Sequence, residues 1–108
     1  MKVSELAACE GFKAISLPDA EREITGAYIG DLLSWVMGRA KADSAWITIM
    51  SNINIVAVAA LADVACVILA EGVQLEPSVA QTAQMKGLNI LSAELTAYEA
   101  ALLLGSKL

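Results

Sequence analysis

Histidine is absent from this chain of 108 residues. Its absence excludes nucleophiles that are activated by histidine and zinc sites that include an imidazole ligand. The two cysteines, Cys9 and Cys66, are far apart in the sequence, and two thiols alone do not complete a metal site. We therefore predict no metal site, no cofactor and no catalytic residues, and we expect both cysteines to be free thiols.

Clusters of basic residues are also missing. The chain has 7 Lys and Arg residues against 12 Asp and Glu residues, which gives a formal net charge of −5. Its basic residues are scattered from Lys2 to Lys107. Proteins that bind nucleic acids need a basic surface that displaces counterions from the phosphates. The sequence therefore predicts no nucleic-acid partner.

No motif for binding a nucleoside triphosphate occurs in the sequence. A dinucleotide fingerprint needs G-x-G-x-x-G and a P-loop needs G-x-x-x-x-G-K-[ST], and the chain has neither pattern. The tripeptide Gly-Ser-Lys at 105–107 follows a predicted helix instead of a strand, and it lacks the upstream glycine. We therefore expect no phosphoryl transfer, and we predict that the chain is not an enzyme.

No apolar run is long enough for a membrane-spanning helix. The best candidate, Ile55 to Ala70, is shorter than the ~20 residues that such a helix needs, and Asp63 lies in its middle. The N-terminus has charges within its first turns and no long apolar stretch, unlike a signal peptide. We predict no membrane association and a cytoplasmic location.

Aromatic residues are scarce, although the chain is unusually apolar. They make up 5% of the residues, whereas 57% are hydrophobic and the mean hydropathy is +0.63. The core must therefore consist of small aliphatic side chains. Excess apolar surface in a short chain is often buried against a partner, so we expect a homodimer, with an alanine-rich monomer as the alternative. Trp35 is a candidate for that interface, and core packing is its alternative role.

The positive feature of the sequence is an alternation of strand-like and helix-like segments. Strands are predicted at 12–16, 24–29, 45–50, 64–70 and 88–92, and helices at 5–10, 32–40, 55–63, 78–86 and 96–105. From Ile24 onward the order is β-α-β-α-β-α-β-α. This order predicts one α/β domain over residues 1–108, with a mostly parallel sheet and helices on its faces.

Residues that favour helix ends support these boundaries. We expect Ser4 to cap the first helix and Asp31 to cap the second, and we expect Asn52 or Asn54 to cap the third. Pro77 stands at the first position of the fourth helix, and Gly87 ends it. The spacing of Thr96 and Glu99 is that of a capping box.

Two glycines are the first candidates for a ligand site. Gly26 lies within the predicted strand 24–29, and Gly30 directly follows it. Gly30 would let backbone N–H groups at the start of the next helix meet an anion, although Asp31 at that position would repel one. The alternative is structural, with Gly26 allowing close packing within the strand and Gly30 making the turn.

The loop from Met50 to Asn54 is the second candidate. Ligands of open α/β sheets bind beyond the carboxyl ends of the strands, and this loop follows a predicted strand. Ser51, Asn52 and Asn54 place uncharged donors and acceptors there, which suit a nucleobase, a ribose or an amide. With Gly26 and Gly30 they form the candidate ligand site, and helix capping and turn formation are the alternative roles of the asparagines.

Three separated segments, 20–37, 45–72 and 88–101, resemble the DRTGG domain, which is similar to the N-terminal domain of HPr kinase/phosphorylase. Thr25 and Gly26 match residues that name the family, and Ala27 stands where the family has its second glycine. Family members often carry a histidine in the loop before the alanine-rich helix, where this chain has Asn52 and Asn54.

The resemblance implies a regulatory, non-catalytic α/β domain with the fold of the HPr kinase N-terminal domain. Three functions stay open. The first is a dimeric regulatory or interaction domain with a second copy or another protein as partner. The second is a sensor of a small molecule such as an adenine nucleotide. The third is a stand-alone subunit or remnant of an HPr serine kinase-type enzyme, whose P-loop lies in another domain.

Overall fold

The computed structural model describes all 108 residues and arranges them around one five-stranded sheet. The strands are β1 (Phe12–Ser16), β2 (Gly26–Ile29), β3 (Ser44–Thr48), β4 (Cys66–Leu69) and β5 (Ile90–Ala93). The helices are α1 (Val3–Ala7), α2 (Leu33–Arg39), α3 (Asn54–Ala62), α4 (Pro77–Met85) and α5 (Ala97–Lys107). The spatial order of the strands is β1-β5-β4-β3-β2.

Strands β2 to β5 are parallel, and only β1 is antiparallel, on the outer side of β5. Strands β3, β4 and β5 each lie beside the strand that precedes them in the chain. Because crossovers between parallel strands are right-handed, the three intervening helices α2, α3 and α4 share one face of the sheet. Helices α1 and α5 cover the other face. The predicted α/β architecture is therefore confirmed, with helices on both faces.

The core consists of two apolar layers that the sheet separates. Ile47 and Ile68 face the layer under α1 and α5, whereas Trp46 and Val67 face the layer under α2, α3 and α4. Every residue of β3 and β4 is buried. This pattern explains the nearly continuous apolar runs in the sequence, since central parallel strands are covered on both faces.

The apolar run from Ile55 to Ala70 divides into α3 and β4, as predicted. Asp63 ends the helix in the left-handed conformation, with φ +57°, and the chain turns there toward the strand. The longest helix of the chain, α5, has 11 residues. No helix combines the length and the apolar character that crossing a membrane would require.

The predicted helix ends are partly confirmed. Pro77 opens α4, and Gly87, with φ +75°, follows its end. Thr96 and Glu99 form the predicted capping box, although α5 continues past Gly105 to Lys107.

Two predicted caps are wrong. Ser4 lies inside α1, because this helix already begins at Val3 and Lys2 occupies the capping position. Asp31 does not cap α2, because its carboxylate is bound elsewhere. The side chain of Asn52 accepts a hydrogen bond from the N–H of Asn54, the first residue of α3, which satisfies one free donor of that helix (2.9 Å).

Candidate functional site

The parallel strands β2 to β5 end at one edge of the sheet, the carboxyl edge, and four of the five candidate ligand residues lie there. Gly30 directly follows β2, and the segment from Ser51 to Asn54 leads from β3 into α3. Gly26 is the first residue of β2 and lies at the opposite edge, ~13 Å from Gly30 at the usual rise per residue. The structure therefore does not bring Gly26 together with the other four.

Gly30 is enclosed by its own chain. Its carbonyl accepts a hydrogen bond from the indole Nε1–H of Trp46 (2.8 Å). A Cβ atom at Gly30 would lie 2.9 Å from Cε2 of Tyr28, which is too close for two carbon atoms. The absence of a side chain at this position thus lets the Tyr28 ring pack beside the turn, and internal packing accounts for the glycine.

Asp31 ties the end of β2 to the end of β3. Its Oδ1 accepts hydrogen bonds from the hydroxyl of Thr48 (2.7 Å) and from the backbone N–H of Ile49 (3.0 Å). A carboxylate held in this way leaves a negative charge at the start of α2. The free backbone N–H groups at the start of a helix usually attract an anion, but here the Asp31 carboxylate would repel one.

Ser51 and Asn52 line a cleft between the β3–α3 loop and α4. The cleft has a volume of about 540 Å³. The other residues that line it are Ile53, Gln74, Glu76, Ser78, Val79 and Thr82. Most of these side chains are uncharged hydrogen-bonding groups, Glu76 is the one charged residue, and no Lys or Arg contributes. The cleft therefore suits a polar ligand that is neutral or positively charged at the point of contact.

Gly30 and Asn54 do not line this cleft. Asn54 contributes to a neighbouring cavity of about 300 Å³ between α3 and α4, with Thr82 and Lys86. The four candidate residues at the carboxyl edge therefore do not line one common cavity. Only Ser51 and Asn52 line the same one.

Four large apolar side chains that are about half exposed lie at or near the ends of β2 and β3. We call Ile29, Leu32, Trp35 and Ile49 the carboxyl-edge apolar surface. Each is between 47% and 56% exposed. The hydrogen bond from the Ile49 N–H to the Asp31 carboxylate brings the β2–α2 loop, with Leu32, next to Ile49, and Ile29 is the last residue of β2. Trp35 lies one helical turn beyond Leu32, because its N–H donates to the Leu32 carbonyl (2.9 Å).

Sequence reasoning did not find an ion-pair network at the opposite edge. Arg22 donates to Oδ1 of Asp43 and to Oδ1 of Asp63 (both 2.9 Å), and also to the Asp63 carbonyl (2.7 Å). Burial of Arg22 lowers its pKa, but its hydrogen bonds to Asp63 and Asp43 outweigh burial, so that the net shift of the pKa is upward. The network joins the residues before β3 and β4, and its groups are already paired.

A repeated motif in the sequence could have pointed to this network. The segments 42–45 and 62–65 both read Ala-Asp-x-Ala, and each leads into a central strand. Asp43 and Asp63 both adopt positive φ, 66° and 57°, a conformation that Asp tolerates better than most residues. Two such turns at the same edge place their carboxylates side by side, and a cation between them relieves the repulsion.

Comparison with known proteins adds one match. The family model described as the DRTGG domain matches residues 20–106, which include every strand except β1. No curated protein matches the chain significantly.

Proposed function

The chain belongs to the DRTGG domain family, a family of regulatory domains, and from this premise we propose that it is a non-catalytic regulatory domain that acts as a homodimer. The carboxyl-edge apolar surface carries the proposal. Large side chains that stay half exposed on neighbouring segments are typical of surfaces that a partner covers.

The exposure of helix α2 supports the proposal that a partner covers this side of the molecule. Of its seven residues only Val36 is buried, and Trp35 is 51% exposed. A short helix usually depends on packing for its stability, because its own hydrogen bonds are too few to hold it. A partner that covers Trp35 would supply packing that the isolated chain does not provide.

We propose a second copy of the chain as that partner. Such a dimer has a two-fold axis, and each copy contributes the same residues to the interface. An apolar surface is complementary to itself, whereas a charged surface would repel its own copy. Asp31 precedes Leu32 in the sequence, and its carboxylate is hydrogen-bonded within the chain. The high apolar content, 57% of the residues, also agrees with a buried interface.

Sedimentation velocity over a range of protein concentrations tests the dimer. We expect Leu32→Glu to shift the wild-type dimer toward monomer, because a carboxylate would be buried against apolar side chains. Glutamate is compatible with this position in the monomer, because Leu32 is 56% exposed and a carboxylate there would stay in water. Leu61→Glu is the matched control, because Leu61 is also apolar and exposed (76%) but lies at the far end of α3.

Two outcomes of this experiment would refute different parts of the proposal. A wild-type protein that sediments as a monomer at all concentrations would refute the dimer. Dissociation by Leu61→Glu and not by Leu32→Glu would refute the interface. Trp35→Gln provides a second variant of the interface if Leu32→Glu does not fold.

The cleft next to Ser51 and Asn52 favours a second candidate function, a sensor of a small molecule. Its mainly uncharged polar lining suits the base and ribose of an adenine nucleotide, whereas the phosphates would find Glu76 and no Lys or Arg there. Thermal unfolding with adenosine, AMP and ATP tests this function, since a ligand that binds the native state raises its stability. We expect adenosine to stabilise the protein about as much as ATP does, and Ser51→Ala to reduce the effect. No stabilisation by any of the three would remove this function.

The proposal places the domain in the cytoplasm, where its two free cysteines would stay reduced. The alternative is an HPr serine kinase-type activity. Incubation of the purified chain with labelled ATP and a protein substrate tests it. Label transferred to the substrate by this chain alone would overturn the non-catalytic proposal.

A further inference from the structure

A third cavity, at the amino end of β2, is lined by different kinds of residue from those of the cleft. Its volume is about 380 Å³, and it is lined by Thr25, Gly26, Ala27, Tyr28, Arg39, Lys41, Ala42 and Ser44. Two of the seven basic residues of the chain are in this lining, and no carboxylate is. In a chain with a net charge of −5, this is a local concentration of positive charge.

Both cations are free to meet a ligand. The four salt bridges of the chain use the N-terminus, Lys2 and Arg22, and neither Arg39 nor Lys41 takes part in one. The guanidinium of Arg39 lies over the ring of Trp35, 3.7 Å from its centroid, and this contact limits its motion without using its N–H donors.

The turn that carries Lys41 is fixed from several sides. The carbonyl of Lys41 accepts hydrogen bonds from both the N–H and the hydroxyl of Ser44. Two residues later, the Asp43 carbonyl accepts from the N–H of Thr25 (2.9 Å), and the Asp43 carboxylate binds Arg22. The backbone on both sides of the cavity is therefore held in place, which lowers the entropic cost of binding.

Gly26 gives an independent indication of a ligand. A Cβ atom at this position would meet no atom of the chain within 4 Å, and its φ does not lie in the left-handed region. Neither packing nor backbone conformation requires glycine here, although glycine weakens a strand. A bound group that approaches the backbone closely would explain it. Because β2 is an edge strand, its outer backbone groups have no strand partner and can receive that group.

We propose that this cavity binds the phosphate group of a small phosphorylated molecule. Arg39 and Lys41 provide the positive charge, the Thr25 hydroxyl donates a hydrogen bond, and the bare backbone at Gly26 allows the phosphate to approach β2. Arginine and lysine at one site are the usual partners of a phosphate group. The site lies at the opposite edge of the sheet from the cleft beside Ser51, and Arg39 joins it to Trp35 of the carboxyl-edge apolar surface.

Titration of the full chain with inorganic phosphate and with glycerol 3-phosphate, followed by backbone amide NMR shifts, tests the site. We expect saturable shifts at residues 25–28 and 39–44 for both probes, with tighter binding of the phosphomonoester if the natural ligand is an organic phosphate. Equal affinities would identify the free anion as the ligand. Absence of saturable shifts with either probe would overturn the proposal.

Charge variants show whether the binding belongs to this cavity. Lys41→Gln and Arg39→Gln should each weaken binding about tenfold, as expected for a lost charged hydrogen bond. Lys86→Gln is the control, since it removes the same charge from an exposed position outside the cavity. An equal loss in Lys86→Gln would mean that the probes respond only to net charge, which would refute the site.

Gly26→Val completes the test without removing a charge. Because the position is open, we expect the variant to unfold at the same temperature as the wild type or higher, while its affinity for glycerol 3-phosphate falls. Unchanged affinity would show that nothing approaches Gly26, which would refute the proposed position of the phosphate. Translational diffusion in the same samples reports the oligomeric state, so that a change in dimerisation is not mistaken for lost binding.

Discussion

The two cysteines show how strongly the surroundings of a residue decide its chemistry. Cys66 lies in β4 between the core layers, and burial raises the pKa of its thiol to about 12, with a small opposing effect from the charge of Arg22. Cys9 follows α1, is partly exposed, and its Sγ lies 3.4 Å from the Glu5 carbonyl. Since the thiolate is the reactive form, only Cys9 is placed to react in the folded protein.

We therefore expect one thiol per chain to react with an aromatic disulfide reagent in the native state and two in urea. Cys9→Ser should abolish the native reaction, and Cys66→Ala should leave it intact. Spectrophotometric counting of the released thiolate gives the result. Rapid modification of Cys66 in native protein would show that β4 opens far more readily than its burial implies.

The same pKa shift makes the stability depend on pH. The ordinary pKa of the thiol is 9.0, and in the folded chain it is about 12. The contribution of Cys66 is therefore fully present below pH 9 and is lost between pH 9 and pH 12, by at most about 1.4 kcal/mol per pH unit. Urea unfolding at pH 8 and at pH 10.5 measures it. The wild type should lose more stability over this interval than Cys66→Ala, and equal losses would contradict the shift.

Single-residue roles were the least predictable feature of the chain. The sequence marks Asp31 as a helix cap, but Thr48 and Ile49 lie 17 and 18 residues away and bind its carboxylate instead. Arg22 likewise pairs with Asp43 and Asp63, which are distant in sequence. Such roles depend on which side chains the fold brings together, and no local pattern contains that information.

The elements themselves were predictable to within a few residues, because apolar periodicity and cap residues act locally. The capping box of α5 is the clearest case. The Thr96 hydroxyl accepts from the Glu99 N–H (3.1 Å), and the Glu99 carboxylate accepts from the Thr96 N–H (3.0 Å). Both groups lie within one turn, so their pairing needs nothing from the rest of the chain.

We expect Thr96→Ala to lower the free energy of unfolding by about 1 kcal/mol, because α5 would lose the side chain that satisfies one of its first N–H groups. Thr82→Ala is the matched control, since Thr82 lies within α4 and its hydroxyl only bonds back to the Ser78 carbonyl (3.0 Å). Removing that hydroxyl should cost little, because alanine is the better helix former. Urea unfolding compares the two variants, and equal losses would show that the box contributes nothing specific.

At the scale of the whole molecule, the parallel arrangement of β2 to β5 could be predicted, but the position of β1 could not. Alternating strands and helices favour a place for each successive strand beside the previous one. No such rule applies to β1, which pairs with β5 across almost the whole length of the chain, with Phe12 opposite Ala93. Likewise, composition suggested a partner, but only the fold shows which apolar side chains stay exposed.

The proposed dimer has a consequence for the stability of the whole molecule. If folded chains are paired, unfolding also separates them, so the unfolding temperature must rise with protein concentration. A tenfold increase in protein concentration stabilises the dimer by about 1.4 kcal/mol, which is about 0.7 kcal/mol per chain. For a domain of this size, that change should raise the unfolding temperature by about 3 to 5 °C. Leu32→Glu should abolish this dependence, and Leu61→Glu should retain it. A wild-type unfolding temperature that stays constant over a hundredfold range of concentration would mean that Ile29, Leu32, Trp35 and Ile49 remain exposed in the free chain.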